Sequence, residues 1–391
     1  MRNRSVILSL ALLAAAAGAA QAQQPCGNPA TPGCVIVQVP GNNTGYGTTA
    51  AEFLLMAPTA RGAALGDALA ATATDASALF YNPAGLSQMS RPEFNASSTS
   101  YIANTRYTWV GMALPFGGGA RAIGFSIGSF GFSNQPVYTV EDPTGSSGQV
   151  YSVTETYVGL TYSQQFSDRF STGITMKYID DHLGDVEGRA FAIDFGTSFH
   201  TMVGGRPIRA AFTVQNLGST LQHTGKALDA TINRPAPTDQ QNVPQDPAAA
   251  ELKAKDWPLP VQFRVAMAYD LFTTPMSHFS VLGEFSQPNN NDPTFGFGGE
   301  YSVKLGNSGF EIAPRVSYTY QPANSLNPAD ATSSSYAGFN TSITNGSYGL
   351  AYGGGISYRG NPRGVGFGVD YALKSFGPLG NVSTVSVGLS W

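Results

Sequence analysis

The last eight residues, TVSVGLSW, alternate without a break. Val385, Val387, Leu389 and Trp391 fall on one face, and Thr384, Ser386, Gly388 and Ser390 on the other. A period of two predicts a strand with one apolar and one polar side. The chain then stops on an aromatic carried by the apolar side. From Glu93 onward the same texture recurs in about fourteen segments: 93–103, 106–116, 120–132, 150–166, 169–181, 187–201, 206–216, 259–272, 277–286, 293–304, 308–320, 348–359, 363–375 and 380–391.

The charges follow the alternation. In the eighth segment Val261, Phe263, Val265, Met267, Tyr269 and Leu271 oppose Gln262, Arg264, Ala266, Ala268 and Asp270. In the thirteenth, Val365, Phe367, Val369, Tyr371 and Leu373 oppose Gly364, Gly366, Gly368, Asp370 and Lys374. Placing Arg or Lys on a lipid-facing position at mid-bilayer costs about 2–4 kcal/mol. One-sided charge is therefore what a membrane barrel requires, with Lys177, Asp194, Arg264, Glu300, Arg315 and Arg359 turned inward.

The connections obey a second parity. The long gaps 133–149, 217–258 and 321–347 follow the third, seventh and eleventh segments, whereas the gaps after even segments are tight, such as Gly117-Gly118-Gly119 and Gly360-Asn361-Pro362. Long loops at one end and short turns at the other are the asymmetry of outer-membrane barrels. The expected fold is all-β: a transmembrane antiparallel β-barrel of about fourteen strands over 93–391, in the bacterial outer membrane, with TVSVGLSW as closing strand and assembly signal read by the barrel-assembly machinery.

The N-terminal quarter breaks the alternation. Residues 1–22 read as a signal peptide, with Arg2 and Arg4, the apolar stretch Val6 to Ala20, and Ala20-Gln21-Ala22 as cleavage site. Residues 23–50, rich in Pro, Gly, Asn and Thr, read as an irregular periplasmic leader. Residues 51–92 are rich in Ala and Gly and cannot span a bilayer. Their expected place is inside the barrel as a plug, with a periplasmic tail as the alternative.

Composition narrows the picture further. The 391 residues include 46 Gly and only 12% charged side chains, which suits alternating small and large residues. Removing Arg2 and Arg4 takes the formal charge from −4 to about −6, so no nucleic-acid partner is expected. Cys26 and Cys34 are the only cysteines; in an oxidising periplasm they are a candidate disulfide, or else two free thiols.

The stretch Phe53–Leu86 carries Arg61-Gly62-Ala63, Leu65-Gly66, Asp75-Ala76-Ser77-Ala78 and Tyr81-Asn82-Pro83-Ala84-Gly85-Leu86. It resembles the N-terminal region of the PorV/PorQ family, in the FadL-like superfamily of outer-membrane barrels. Val214-Gln215-Asn216-Leu217-Gly218 and Leu259-Pro260 before Phe263-Arg264 agree with that resemblance. It implies a fourteen-strand barrel with an N-terminal hatch. FadL-like relatives move hydrophobic molecules inward, and PorV-like relatives carry cargo in type IX secretion.

At the NPAG turn, Pro83 pre-sets a backbone angle, Asn82 can bond nearby backbone, and Gly85 tolerates positive φ. Asn82, Pro83 and Gly85 are the candidate binding residues if the turn is a gate; a structural turn is the preferred reading. His182 beside Asp180, Asp181, Asp185 and Glu187 could hold a cation, but a solvated acidic turn fits better. No HExxH, GxSxG or P-loop is present, so no enzyme, catalytic residue, metal site or cofactor is expected.

Two functional readings remain. The favoured one is a protein-interaction or secretion-associated role, with exported proteins or other secretion components as partners. The alternative is a FadL-like channel for hydrophobic small molecules. It needs a continuous apolar path through the lumen, and the mixed charges of the inward parity offer little for a fatty acid.

Overall fold

In the computed structural model, the described residues are 47–140, 142–232, 247–321, 349–358 and 364–391. The signal peptide, Cys26 and Cys34, and Arg359 lie outside them.

Among the described residues, fourteen strands close a barrel: β1 (Glu93–Ser100), β2 (Arg106–Phe116), β3 (Arg121–Pro136), β4 (Val150–Ser167), β5 (Phe170–Leu183), β6 (Val186–Val203), β7 (Arg206–Gly218), β8 (Gln262–Thr273), β9 (Ser277–Pro288), β10 (Thr294–Lys304), β11 (Phe310–Tyr320), β12 (Leu350–Tyr358), β13 (Gly366–Ser375) and β14 (Asn381–Ser390). Each pairs antiparallel with the next. The ring shuts where β1 meets β14, in register from Glu93 opposite Ser390 to Ser100 opposite Ser383. All fourteen match the segments expected from the alternation.

The two faces differ as the charge parity requires. Outward side chains such as Phe191 (66% exposed), Met176 (61%) and Leu160 (60%) would be an unpartnered apolar surface in water. Around a closed barrel they are the lipid face. Val385, Val387, Leu389 and Trp391 lie on it. Lys177, Asp194, Arg264, Asp270, Glu284 and Arg315 are buried on the inner face. No described helix is long and apolar enough to cross a membrane. An even-stranded antiparallel barrel with an apolar exterior is the outer-membrane architecture, and the chain is a bacterial outer-membrane barrel.

The long connections mark one end of the barrel, here the loop end, and the tight turns mark the other, the turn end. After β7 the connection is not irregular throughout. Residues His223–Gly225 pair with β6, Leu221 bridges to Trp257, and Asp229–Ile232 pairs with Ala248–Glu251. Beyond the bilayer no lipid face enforces a parity, so these short pairings left no mark in the alternation.

Residues 51–89 lie within the barrel. Glu52–Leu55 forms a 3-10 turn, Ala60–Ala64 and Ala78–Tyr81 short helices, and Pro83–Gln88 a second 3-10 segment. Most of their side chains are buried. The described part of the segment begins at the loop end rather than at the turn end. The Ala50 amide donates to the Pro258 carbonyl at 3.0 Å, and the Asn290 side chain donates to Thr49 at 2.8 Å. Pro258 and Asn290 both belong to loop-end connections. Residues 47–50 therefore sit at the loop end, and the segment runs to Pro92, whose carbonyl meets the Trp391 amide at the turn end.

Candidate functional site

The inner segment is fastened by polar contacts that span the barrel. Thr59 caps the helix Ala60–Ala64 by accepting from the Gly62 amide, a normal N-cap role. That helix faces β12–β14: the Ala60 amide donates to the Ser386 hydroxyl at 2.7 Å, and the Ser317 hydroxyl of β11 donates to the Ala64 carbonyl at 2.9 Å. A Cβ on Gly353 would come within 2.9 Å of the Ala64 methyl, so this glycine makes room for the plug.

The Asn82 side chain closes the opposite flank. Its amide donates to the Ala70 carbonyl (3.0 Å) and to the Thr197 carbonyl of β6 (3.1 Å), and its oxygen accepts from the Ala84 amide. The Ala84 carbonyl in turn accepts from the hydroxyls of Ser87, Ser163 and Ser171. Inward glycines receive this turn. A Cβ at Gly196 would stand 2.2 Å from the Asn82 oxygen, and one at Gly173 would stand 2.3 Å from Pro83. Gly85 does not adopt a left-handed φ, contrary to expectation. It is needed because a Cβ there would lie 1.8 Å from the Ala73 carbonyl. Among the described residues, the contacts of Asn82, Pro83 and Gly85 run to the wall and to the inner segment itself.

Charges complete the fastening. Arg61 bridges Asp75 of its own segment and Glu300 of β10, each at 2.9 Å. Arg315 of β11 joins Glu300 to Asp370 of β13. Burial opposes the Arg61 charge, but Glu300 and Asp75 outweigh it and hold the guanidinium above its ordinary value. Lys374 meets Asp67 at 2.7 Å. Beside Asp67, burial pushes the Tyr81 phenol upward. In the wall, Lys177 pairs with Asp194 at 2.7 Å and donates to the Asn216 side chain at 2.8 Å. Asn216 adopts a left-handed φ of 61° at the break in β6–β7 register, where its amide donates to Asp194.

The described inward charges named from the alternation lie on β5–β13, and β4 adds Glu155. Beside them β2, β4 and β5 present Tyr107, Trp109, Tyr157 and Ile179, all almost fully buried. Trp109 Nε1 donates to the Tyr157 hydroxyl at 2.8 Å. Phe53 packs on both tyrosines, with ring centroids 6.4 Å from Tyr107 and 6.1 Å from Tyr157. These residues belong to one contiguous apolar cluster. It runs from Ala51, Leu221 and Leu259 at the loop end, through Leu79, Phe80 and Leu86, to Met89, Ala113 and Ala122 near the turn end. The alternation did not single out Tyr107, Trp109 and Tyr157: β2 carries no charge on the parity of Tyr107 and Trp109, and β4 carries only Glu155 on that of Tyr157.

Two cavities flank the plug. One of about 600 Å³ opens at the turn end beside Arg61, Asp75, Arg209, Glu300 and Arg315. The other, about 250 Å³, opens at the loop end beside Leu55, Asp67, Arg264, Glu284 and Lys374.

The His182 group does not converge. Strand parity puts Asp180 outward, with His182 (2.8 Å) and Arg189 (3.1 Å), and Asp181 inward, with His223 (3.0 Å). No set of three His, Cys, Asp or Glu side chains among the described residues is placed to hold a metal ion.

Comparison with family models gives no match, and neither does comparison with curated proteins. Among solved structures the chain is similar to the Pseudomonas putida toluene transporter TodX (TM-score 0.46, 9% identity, 80% of this chain and 92% of that one). It is also similar to the Ralstonia pickettii toluene transporter TbuX (0.46, 12%, 86% and 97%). A third similar structure is a Pseudomonas aeruginosa FadL homologue (0.46, 11%, 86% and 99%).

Proposed function

We propose that this barrel is an uptake channel for small hydrophobic molecules, gated by its own N-terminal segment. The observation that carries the reading is the apolar cluster that runs from mouth to mouth along the β2–β6 side. A hydrophobic guest needs such a path, and a purely polar lumen would deny it. The path is filled in this state by Phe53, Leu54, Leu79 and Leu86.

Phe53 and Leu54 are the natural moving parts. They sit on a single 3-10 turn preceded by Ala51 in the left-handed region, at the mouth that faces the outside. Withdrawing the two side chains into water would cost roughly 3–6 kcal/mol at about 1.5–3 kcal/mol each. A guest that covers Tyr107, Trp109 and Tyr157 in their place offsets that cost. The channel then opens only for molecules that are themselves apolar, which is a population shift driven by differential affinity.

The secretion-associated role rested on a lumen with nothing to offer an apolar guest. The aromatic wall removes that warrant.

Uptake of labelled naphthalene at low external concentration tests the reading, in cells with and without the protein. The Phe53→Ala variant should raise the rate, and Tyr157→Arg should abolish it in a barrel that still shows heat-modifiable migration. Equal uptake with and without the protein would refute the channel.

A further inference from the structure

The loop-end cavity contains a guanidinium with spare donor capacity. Arg264 of β8 is 2% exposed. Its Nε donates to the Gln262 oxygen at 2.9 Å, and Gln262 is held in turn by the Ser286 hydroxyl at 2.6 Å. Its Nη1 stands 3.5 Å from Glu284 and has no hydrogen-bond partner among the described residues. Glu284 accepts from the Ala70 amide through Oε2 at 3.3 Å, and its Oε1 forms with Nη1 an ion pair too long for a hydrogen bond. The guanidinium carbon also lies 5.8 Å and 5.7 Å from the ring centroids of Phe80 and Tyr81. A buried charged donor without a hydrogen bond is costly, so the position favours an incoming acceptor.

From this geometry we infer that the loop-end cavity is a binding site for a small organic carboxylate with an apolar body of about one ring, anchored on Arg264. The carboxylate takes Nη1, which has no hydrogen bond among the described residues, forming the strong charge-assisted bond that a guanidinium offers. The apolar body lies against Leu55, Pro288 and Phe376, which line the same space. A cavity of about 150 Å³ admits benzene, so about 250 Å³ accommodates a ring with its carboxylate. Lys374 is already paired with Asp67 at 2.7 Å on the far side, which leaves Arg264 as the anchoring cation. Glu284 is the internal competitor, because its carboxylate sits where it repels a second anion.

The inference names a substrate class for the loop-end mouth, and only its physiological meaning rests on the uptake reading. The test is equilibrium dialysis of the full-length protein in detergent with labelled benzoate and with neutral benzyl alcohol. Benzoate should bind at least tenfold more tightly. In Arg264→Met the ratio should fall to near one. Glu284→Gln keeps an oxygen for the Ala70 amide but removes the competing charge, so it should tighten benzoate at least threefold. This second variant decides the matter if Arg264→Met does not fold. A wild-type ratio near one, a ratio unchanged in Arg264→Met, or no gain in Glu284→Gln would each overturn the site. An Arg264-dependent preference without protein-dependent naphthalene uptake would sink the uptake reading alone. Uptake without the preference would sink this site alone.

Discussion

Arg61 of the plug and Glu300 of β10 meet in a two-point pair, Nε to Oε2 at 2.9 Å and Nη2 to Oε1 at 3.0 Å. The residues are 239 positions apart in sequence. Glu300 also accepts from Arg315 at 2.6 Å, so one carboxylate links plug to wall and wall to wall.

Removing one member of such a pair leaves its partner charged and unsatisfied. The cost is of order 2–5 kcal/mol. Arg61→Met should therefore loosen the plug without preventing barrel formation. Planar-bilayer recordings should show open events that are rare or absent in the wild type. Arg61→Lys should rescue poorly, since an ammonium cannot reproduce the two parallel bonds. Conductance equal to wild type in Arg61→Met would mean that the pair does not hold the plug.

Topology offers a sharper check. Gly225 lies in the connection after β7 and Gly47 beside the loop-end mouth, whereas Gly118 lies in the β2–β3 turn. A protease site placed at Gly225 or Gly47 should be cut on intact cells, and one at Gly118 only after lysis. Cleavage at Gly118 with protection at Gly225 would invert the barrel. Protection at Gly47 alone would put the entrance of the plug on the wrong side.

Trp391 ends the closing strand on the lipid face, 48% exposed, with its amide bonded to Pro92. Trp391→Asp would place a charge beside lipid, next to the seam that must zip last. Outer-membrane yield should fall sharply, and the recovered chain should lose heat-modifiable migration. Normal yield would mean that the apolar ladder Val385, Val387 and Leu389 suffices as the assembly signal.

The wall was almost fully legible in the sequence, for a physical reason. Lipid on one side forbids charge there, so Asp370 and Lys374 on β13 report the face of every neighbour through strict alternation. The plug was legible only by exclusion, because Ala and Gly carry no periodic signal. Its direction of travel was not legible, since Thr49 and Ala50 say nothing about which mouth they meet. The aromatic wall escaped for the reason opposite to the charges. Trp109 on β2 is followed by Val110 and Met112 on the opposite face, so apolar residues occupy both faces and the inward one goes unmarked. A strand apolar on both parities inside an otherwise charged barrel is the signal that finds such a wall.

The inner segment runs from rim to rim. It meets Pro258 at one rim and Trp391 at the other, so the backbone passes through a ring sealed by β1 against β14. Such threading is rare in protein topology because an open chain must find the hole. A ring that closes around residues 47–92 keeps their backbone inside it. Tension applied outside at residue 47 would strip the fastenings one after another, from Pro258 through Glu300 to Trp391, and would load β1 only at the end.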